Sequence, residues 1–265
     1  MHPITATIMT AEGIVLVTGG SRGIGAATAT LLAEQGQRVV ISDIAPEPLA
    51  GTQTILWPAA FDVASESAVV SGIADIESAH GPITGLVNAA GVFGKMHPVE
   101  RVRMDQWDRE VNIDLRGTFL VARSVGVRMA GRRHGAIVNV ASVAGMTSGP
   151  IHAYTAAKAG VIQITQTLAA EWGRAGIRVN AVSPGFTRTV ALEAGIASGA
   201  LDKDLLQNPT AMNRLVEPIE VAHAIAWLLS PMSSGVTGIN LPVDAGFIAG
   251  STWAAYGGLR QSPSA

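Results

Sequence analysis

The 265-residue sequence contains no cysteine, which rules out disulfides, thiolate catalysis and cysteine-ligated metals. Charge is scarce as well. Only 14% of residues are Asp, Glu, Lys or Arg and the net charge is −2, so there is no basic footprint for nucleic acid. No global field would steer an acidic substrate either, although such a substrate is not excluded. Long apolar runs are missing: nothing approaches the roughly 18 uninterrupted residues of a membrane span. The opening "MHPITATIMTAEG" lacks the basic segment and long apolar core of a signal peptide. These absences make a cytoplasmic protein the expectation, with no metal, no membrane and no nucleic-acid partner.

What is abundant is hydrophobic surface, at 48% of residues, so much of the chain must lie in a core or an interface. Short apolar runs alternate with longer helical patterns. "GIVLVTGG" (13–20), "RVVISDI" (38–44), "ILWPAAFDV" (55–63), "ITGLVNAAG" (83–91), "GAIVNVAS" (135–142), "IRVNAVSPG" (177–185) and "GINLPVDAG" (238–246) read as strands. Their near-continuous aliphatic content suits parallel strands covered on both faces. Helices are expected near 23–36, 65–80, 105–130, 152–174 and 218–230. The last starts with Pro218 and Glu220 in its first turn, and Val221, Ala224, Ile225, Leu228 and Leu229 form its apolar stripe.

This order predicts an α/β fold: a single-domain, doubly wound parallel sheet of the Rossmann type, about seven strands with helices on both faces. The domain would span 13–247, after a flexible segment 1–12. A helical substrate lid is expected near 186–216, and a tail at 248–265, with Trp253 and Tyr256, is available to a subunit interface.

"VTGGSRGIG" ends the first strand and opens the first helix. Gly19, Gly23 and Gly25 would let the backbone approach a pyrophosphate at the helix N-terminus, with Ser21, Arg22 and Ile24 completing the turn. Asp43 stands at the end of the second strand, 18 residues beyond Gly25. A carboxylate there accepts hydrogen bonds from ribose hydroxyls and repels a 2′-phosphate. Arg22 pulls the other way. Asp43 is the more direct discriminator, so NAD is expected over NADP.

"AYTAAKAG" (153–160) puts Tyr154 and Lys158 on one helix face, since positions i and i+4 are neighbours. Taken in order, "TGGSRGIG", "NAAG" (88–91), Ser142, "YTAAK" and "SPGFTRT" (183–189) resemble the short-chain dehydrogenase/reductase family from residue 13 to about 247. The resemblance implies a catalytic set of Ser142, Tyr154 and Lys158, with the tyrosine as general acid/base, the lysine holding the nicotinamide ribose and the serine orienting the substrate oxygen. It implies cofactor contacts at Asp62, Val63, Asn88, Ala89, Gly91, Pro184, Gly185, Thr187 and Thr189, besides Tyr154 and Lys158. It implies a homotetramer as well.

Two departures stand out. "DLRGTF" places Asp114 where the family has a catalytic asparagine, with Asn112 two residues earlier on another helix face; and Ser142 and Tyr154 are 12 apart, one fewer than the family leads us to expect. Phe93, His97, Met146, His152 and Arg188 are the candidates to contact a small alcohol or ketone: a polyol, cyclic diol or hydroxy ketone. An NADP-dependent carbonyl reductase and a non-catalytic cofactor-binding sensor remain as alternatives.

Overall fold

The computed structural model describes residues 13–46 and 56–259. The expected flexible segment 1–12, the first residue of the third strand pattern and the final six residues lie outside the described residues. Seven strands form one sheet: β1 (Ile14–Thr18), β2 (Val39–Asp43), β3 (Leu56–Ala60), β4 (Ile83–Asn88), β5 (Gly135–Val140), β6 (Ile177–Pro184) and β7 (Asn240–Val243). Every pairing is parallel, in the order β3-β2-β1-β4-β5-β6-β7. The helices are α1 (Gly23–Glu34), α2 (Glu66–His80), α3 (Met104–Val111), α4 (Thr118–Arg132), α5 (His152–Trp172), α6 (Val190–Ala197), α7 (Lys203–Gln207), α8 (Pro218–Leu229) and the single turn α9 (Phe247–Gly250).

Successive strand residues point to opposite faces, and the core divides accordingly. Val15, Val17, Val138 and Val182 pack with Leu32 of α1 and with Ile225 and Leu228 of α8. Leu16, Leu86, Ile137 and Val179 pack on the other face with Ile73 of α2, Val125 of α4 and Leu168 of α5. Leu16, Leu86 and Ile137 are fully buried, and each contributes roughly 1.5–3 kcal/mol of transfer free energy. Both edge strands contain a proline, Pro58 in β3 and Pro242 in β7.

The expected helix over 105–130 is divided. Between α3 and α4, residues Asn112–Gly117 form a π-helical turn, which carries one more residue per turn than the α-helix on either side. Two contacts accompany it: the Asp114 side chain turns inward to the Val92 amide, and a Cβ on Gly117 would lie 2.9 Å from Val63 Cγ2. The stretch expected as a lid contains α6 and α7. Thr189 caps α6 by accepting from the Leu192 amide at 3.3 Å, and Asp202 caps α7 through the Asp204 amide at 2.8 Å. Among the described residues no helix is long and apolar enough to cross a membrane.

The chain reverses its direction of travel across the sheet between β1 and β4. In open parallel sheets the crevice at that switch point, beyond the carboxyl ends of the strands, is where ligands bind.

Candidate active site

Thr18 ends β1 and leads into the glycine turn. Gly19 has φ +63°, and a Cβ there would fall 2.7 Å from the Ala90 backbone. A Cβ on Gly25 would collide with the Gly19 carbonyl. The loop thus folds back on itself at the first turn of α1. Ser21 Oγ lies there buried and without a hydrogen-bond partner, while Arg22 is exposed at the N-cap of α1. A Cβ on Gly23 would fall 3.3 Å from Cγ2 of Thr189, which starts α6. A cradle of exposed amides with an orphaned hydroxyl suits a pyrophosphate.

Asp43 ends β2, half-buried, with its carboxylate accepting the Ile44 amide at 2.8 Å. Asp62 follows β3 and accepts the Ala64 amide at 2.9 Å; Val63 beside it is buried. Asn88 ends β4 and donates to Asn139 Oδ1 at 2.9 Å; Asn139 in turn donates to Thr165 Oγ1 at 3.0 Å. This buried amide chain ties β4 and β5 to α5. Ala89 is held by its amide to the Thr18 carbonyl at 3.2 Å. Pro184 and Gly185 close β6, and Thr187 Oγ1 donates to the Gly185 carbonyl at 3.0 Å.

Ser142 follows β5 and starts a 3₁₀ turn, its Oγ accepting the Ala144 amide at 3.1 Å; its own proton is left to donate. Tyr154 and Lys158 lie in the first two turns of α5. Lys158 is buried, donates to the Val140 carbonyl at 2.9 Å and sits 5.5 Å from the centre of the Tyr154 ring. Phe93 packs against that tyrosine, with ring centroids 5.0 Å apart at 59°.

Asp114 is fully buried. Its Oδ1 accepts the Val92 amide at 2.7 Å and its Oδ2 has no partner. Burial pushes its carboxyl up to about 6, against the opposing pull of Lys158 and the Val92 amide. A Cβ on Gly91 would lie 3.1 Å from Asp114 Oδ1 and 3.6 Å from Lys158 Nζ, so glycine there leaves the two charged groups facing one another.

His97 and His152 line one cavity together with Lys95, Arg103 and Glu110. Met146 is directed elsewhere: its sulfur accepts from Asn240 Nδ2 at 3.1 Å. Arg188 is engaged by Glu217 at 2.8 Å and Glu193 at 3.0 Å, so its charge is already matched. Glu110 escaped the sequence reading. Its only signals are its place one turn before Asp114 and a glycine, Gly94, opposite its carboxyl. Among the described residues no group of acids and histidines is arranged to hold a metal.

The family model described as enoyl-(acyl carrier protein) reductase matches residues 19–248, most of the chain and all of the site just described. The chain belongs to the short-chain dehydrogenase/reductase family. It is 37% identical over 243 residues to 2,5-dichloro-2,5-cyclohexadiene-1,4-diol dehydrogenase of Sphingobium indicum, covering 89% of this chain and 96% of that one. It is also 37% identical over 247 residues to cis-4-hydroxycyclohexanecarboxylate dehydrogenase of Sinomonas cyclohexanicum, covering 90% and 98%. A solved structure described as ribose-5-phosphate isomerase from Brucella melitensis 16M is 44% identical, with a TM-score of 0.91, covering 97% of this chain and 100% of that one. As a short-chain dehydrogenase/reductase the protein is an oxidoreductase acting on CH–OH groups, and the family implies a nicotinamide cofactor.

Proposed function

We propose that this protein is an NAD-dependent dehydrogenase for a secondary alcohol on a small ring or polyol, with Tyr154 as general acid/base. The observation that carries the reading is the placement of Ser142, Tyr154 and Lys158 at adjoining ends of β5 and α5, beside the glycine cradle. The residues present fit a dinucleotide: Gly19, Ser21, Gly23 and Gly25 for the pyrophosphate, Asp43 for the adenosine ribose, and Asp62 and Val63 for adenine. Asn88, Gly91, Pro184, Gly185, Thr187 and Thr189 remain for the nicotinamide half. A nicotinamide held there would supply the hydride acceptor for the carbinol carbon. Tyr154 takes the hydroxyl proton as that carbon becomes a carbonyl. Lys158 supplies positive charge beside the phenol and is fixed by the Val140 carbonyl. Ser142 donates to the substrate oxygen as negative charge develops on it. Phe93, in ring contact with the tyrosine, offers an apolar surface to a substrate ring.

Asp43 at the end of β2 favours NAD, against the pull of the exposed Arg22. The two ring-alcohol dehydrogenases support a cyclic diol or hydroxycyclohexane carboxylate as substrate class. A homotetramer is supported by apolar side chains left exposed on helices, among them Val127 of α4 and Trp227 of α8. The likeness to the Brucella protein raises a second reading, an aldose–ketose isomerase. That reaction has no use for a pyrophosphate cradle.

The test is turnover of cyclic diols, hydroxycyclohexane carboxylates and polyols with NAD and with NADP, beside ribose 5-phosphate without nucleotide. Reduction of NAD by a ring alcohol is expected, and Tyr154→Phe should lower kcat about 100- to 10,000-fold with cofactor binding retained. Wild-type turnover in that variant would sink the proton-transfer assignment. Isomerisation of ribose 5-phosphate without nucleotide would sink the dehydrogenase reading.

A further inference from the structure

Glu110 of α3 is more than nine-tenths buried, yet among the described residues its carboxyl has neither a hydrogen bond nor an ion pair. Burial raises that carboxyl above its ordinary value against the pull of Arg109, so the acid has lost water without gaining a protein donor. The carboxyl lies against Gly94, in the space a side chain there would fill. Gly94 follows Phe93, whose ring touches Tyr154, and adjacent Cα atoms are about 3.8 Å apart. From the other side, His152 and Ala153 run directly into Tyr154. The cavity that Glu110 lines with His152 and Ala153 therefore adjoins the tyrosine. The rest of its lining is mixed in sign. Lys95, His97 and His152 bring side-chain N–H donors with no partner of their own among the described residues, while Arg103 is held by Asp105 at 2.9 Å. An anion would gain from those donors and be repelled by Glu110. A hydroxyl has a proton to give and lone pairs to accept with, and satisfies both. The cavity offers about 20 Å³, enough for one group the size of water and too little for a ring.

We propose that this cavity is the subsite for a second hydroxyl of the substrate, with Glu110 accepting a hydrogen bond from it and Lys95 or a histidine donating to its oxygen. The inference rests on the proposed role of Tyr154 and narrows the substrate to diols and polyols, over mono-alcohols and hydroxy acids. No bond breaks in the cavity: Glu110 reads the substrate and takes no part in hydride or proton transfer. The ring or carbon chain stays outside, beside Phe93 and Tyr154, and only the hydroxyl enters.

The test is kcat/KM with NAD for cyclohexanol, the cyclohexanediol isomers and 4-hydroxycyclohexanecarboxylate. At least one diol should exceed cyclohexanol by about 10- to 100-fold, the worth of a hydrogen bond to a charged group, and should exceed the hydroxy acid as well. Glu110→Leu should bring the diol-to-cyclohexanol ratio close to one; being a ratio, it does not move with a general loss of folded enzyme. Glu110→Gln keeps an acceptor and removes the charge, so it should retain part of that ratio and raise the hydroxy acid relative to the diol. A wild-type ratio near one, a ratio unmoved in Glu110→Leu, or a wild-type preference for the hydroxy acid overturns the subsite. The last result would make the cavity an anion site built on Lys95. The dehydrogenase reading fails separately, by the absence of nucleotide reduction with every alcohol. In that event binding of the diols against cyclohexanol decides the subsite, followed by tryptophan fluorescence with Trp107 in the cavity wall. Equal affinity overturns it, and tighter diol binding that is lost in Glu110→Leu upholds it.

Discussion

Asp114 stands where the family resemblance leads one to expect an asparagine, and its burial has a thermodynamic cost separate from any role in turnover. The carboxyl titrates at about 6 in the fold, against an ordinary 3.8. Between those values the folded state holds a proton that the unfolded chain does not, so stability from this group is greatest at low pH and declines as pH rises from about 4 to about 6. A shift of about two pH units corresponds to about 3 kcal/mol for keeping the ionised form buried. Asp114→Asn should therefore be more stable than wild type above pH 6 and should lack that decline. Urea unfolding at pH 5 and pH 7.5 measures both. The sequence revealed the departure, because an aspartate stands in "DLRGTF", but not its surroundings. Gly91 stands among the expected cofactor contacts, and only the fold shows that it and Gly94 each leave space for a buried carboxyl.

At the scale of elements the joint between the stretch 186–216 and α8 is held by charge. Arg214 pairs with both oxygens of Glu220 at 2.7 and 2.8 Å, and Glu220 also accepts the Glu217 amide at 2.8 Å at the mouth of the helix. The Arg214 hydrogen bonds, then the Glu217 amide, hold the Glu220 carboxyl down at about 2. A depressed carboxylate contributes stability above its ordinary range of about 4.5, lost as pH falls toward 2. Both side chains are partly exposed, so solvent screens the pair. Glu220→Gln should cost roughly 1 kcal/mol at pH 7 and progressively less toward pH 2, read from denaturant midpoints. Most elements were legible in the sequence because parallel strands are aliphatic runs and the helices between them keep a helical period. The pattern 105–130 was legible only as one helix. Nothing in its periodicity marks the π turn, which comes with contacts to Val92 and Val63 from distant parts of the chain. Arg188 was legible as a cation near the site, but its partners Glu193 and Glu217 are set by where α6 and α8 begin.

For the whole molecule, the proposed tetramer predicts a solution mass of four 27.2 kDa chains, to be read by sedimentation equilibrium. A monomer mass would leave Val127, Trp227 and Tyr256 exposed to water and would remove the reason offered for them. The prolines of β3 and β7 limit how such copies can meet. A strand adding to either margin of the sheet would find one amide missing from the row it needs, at Pro58 or Pro242. Growth by strand addition, the route that ends in fibres, is thereby obstructed at both ends, and copies of this chain are left to associate through their helices, as a closed particle rather than an open ribbon.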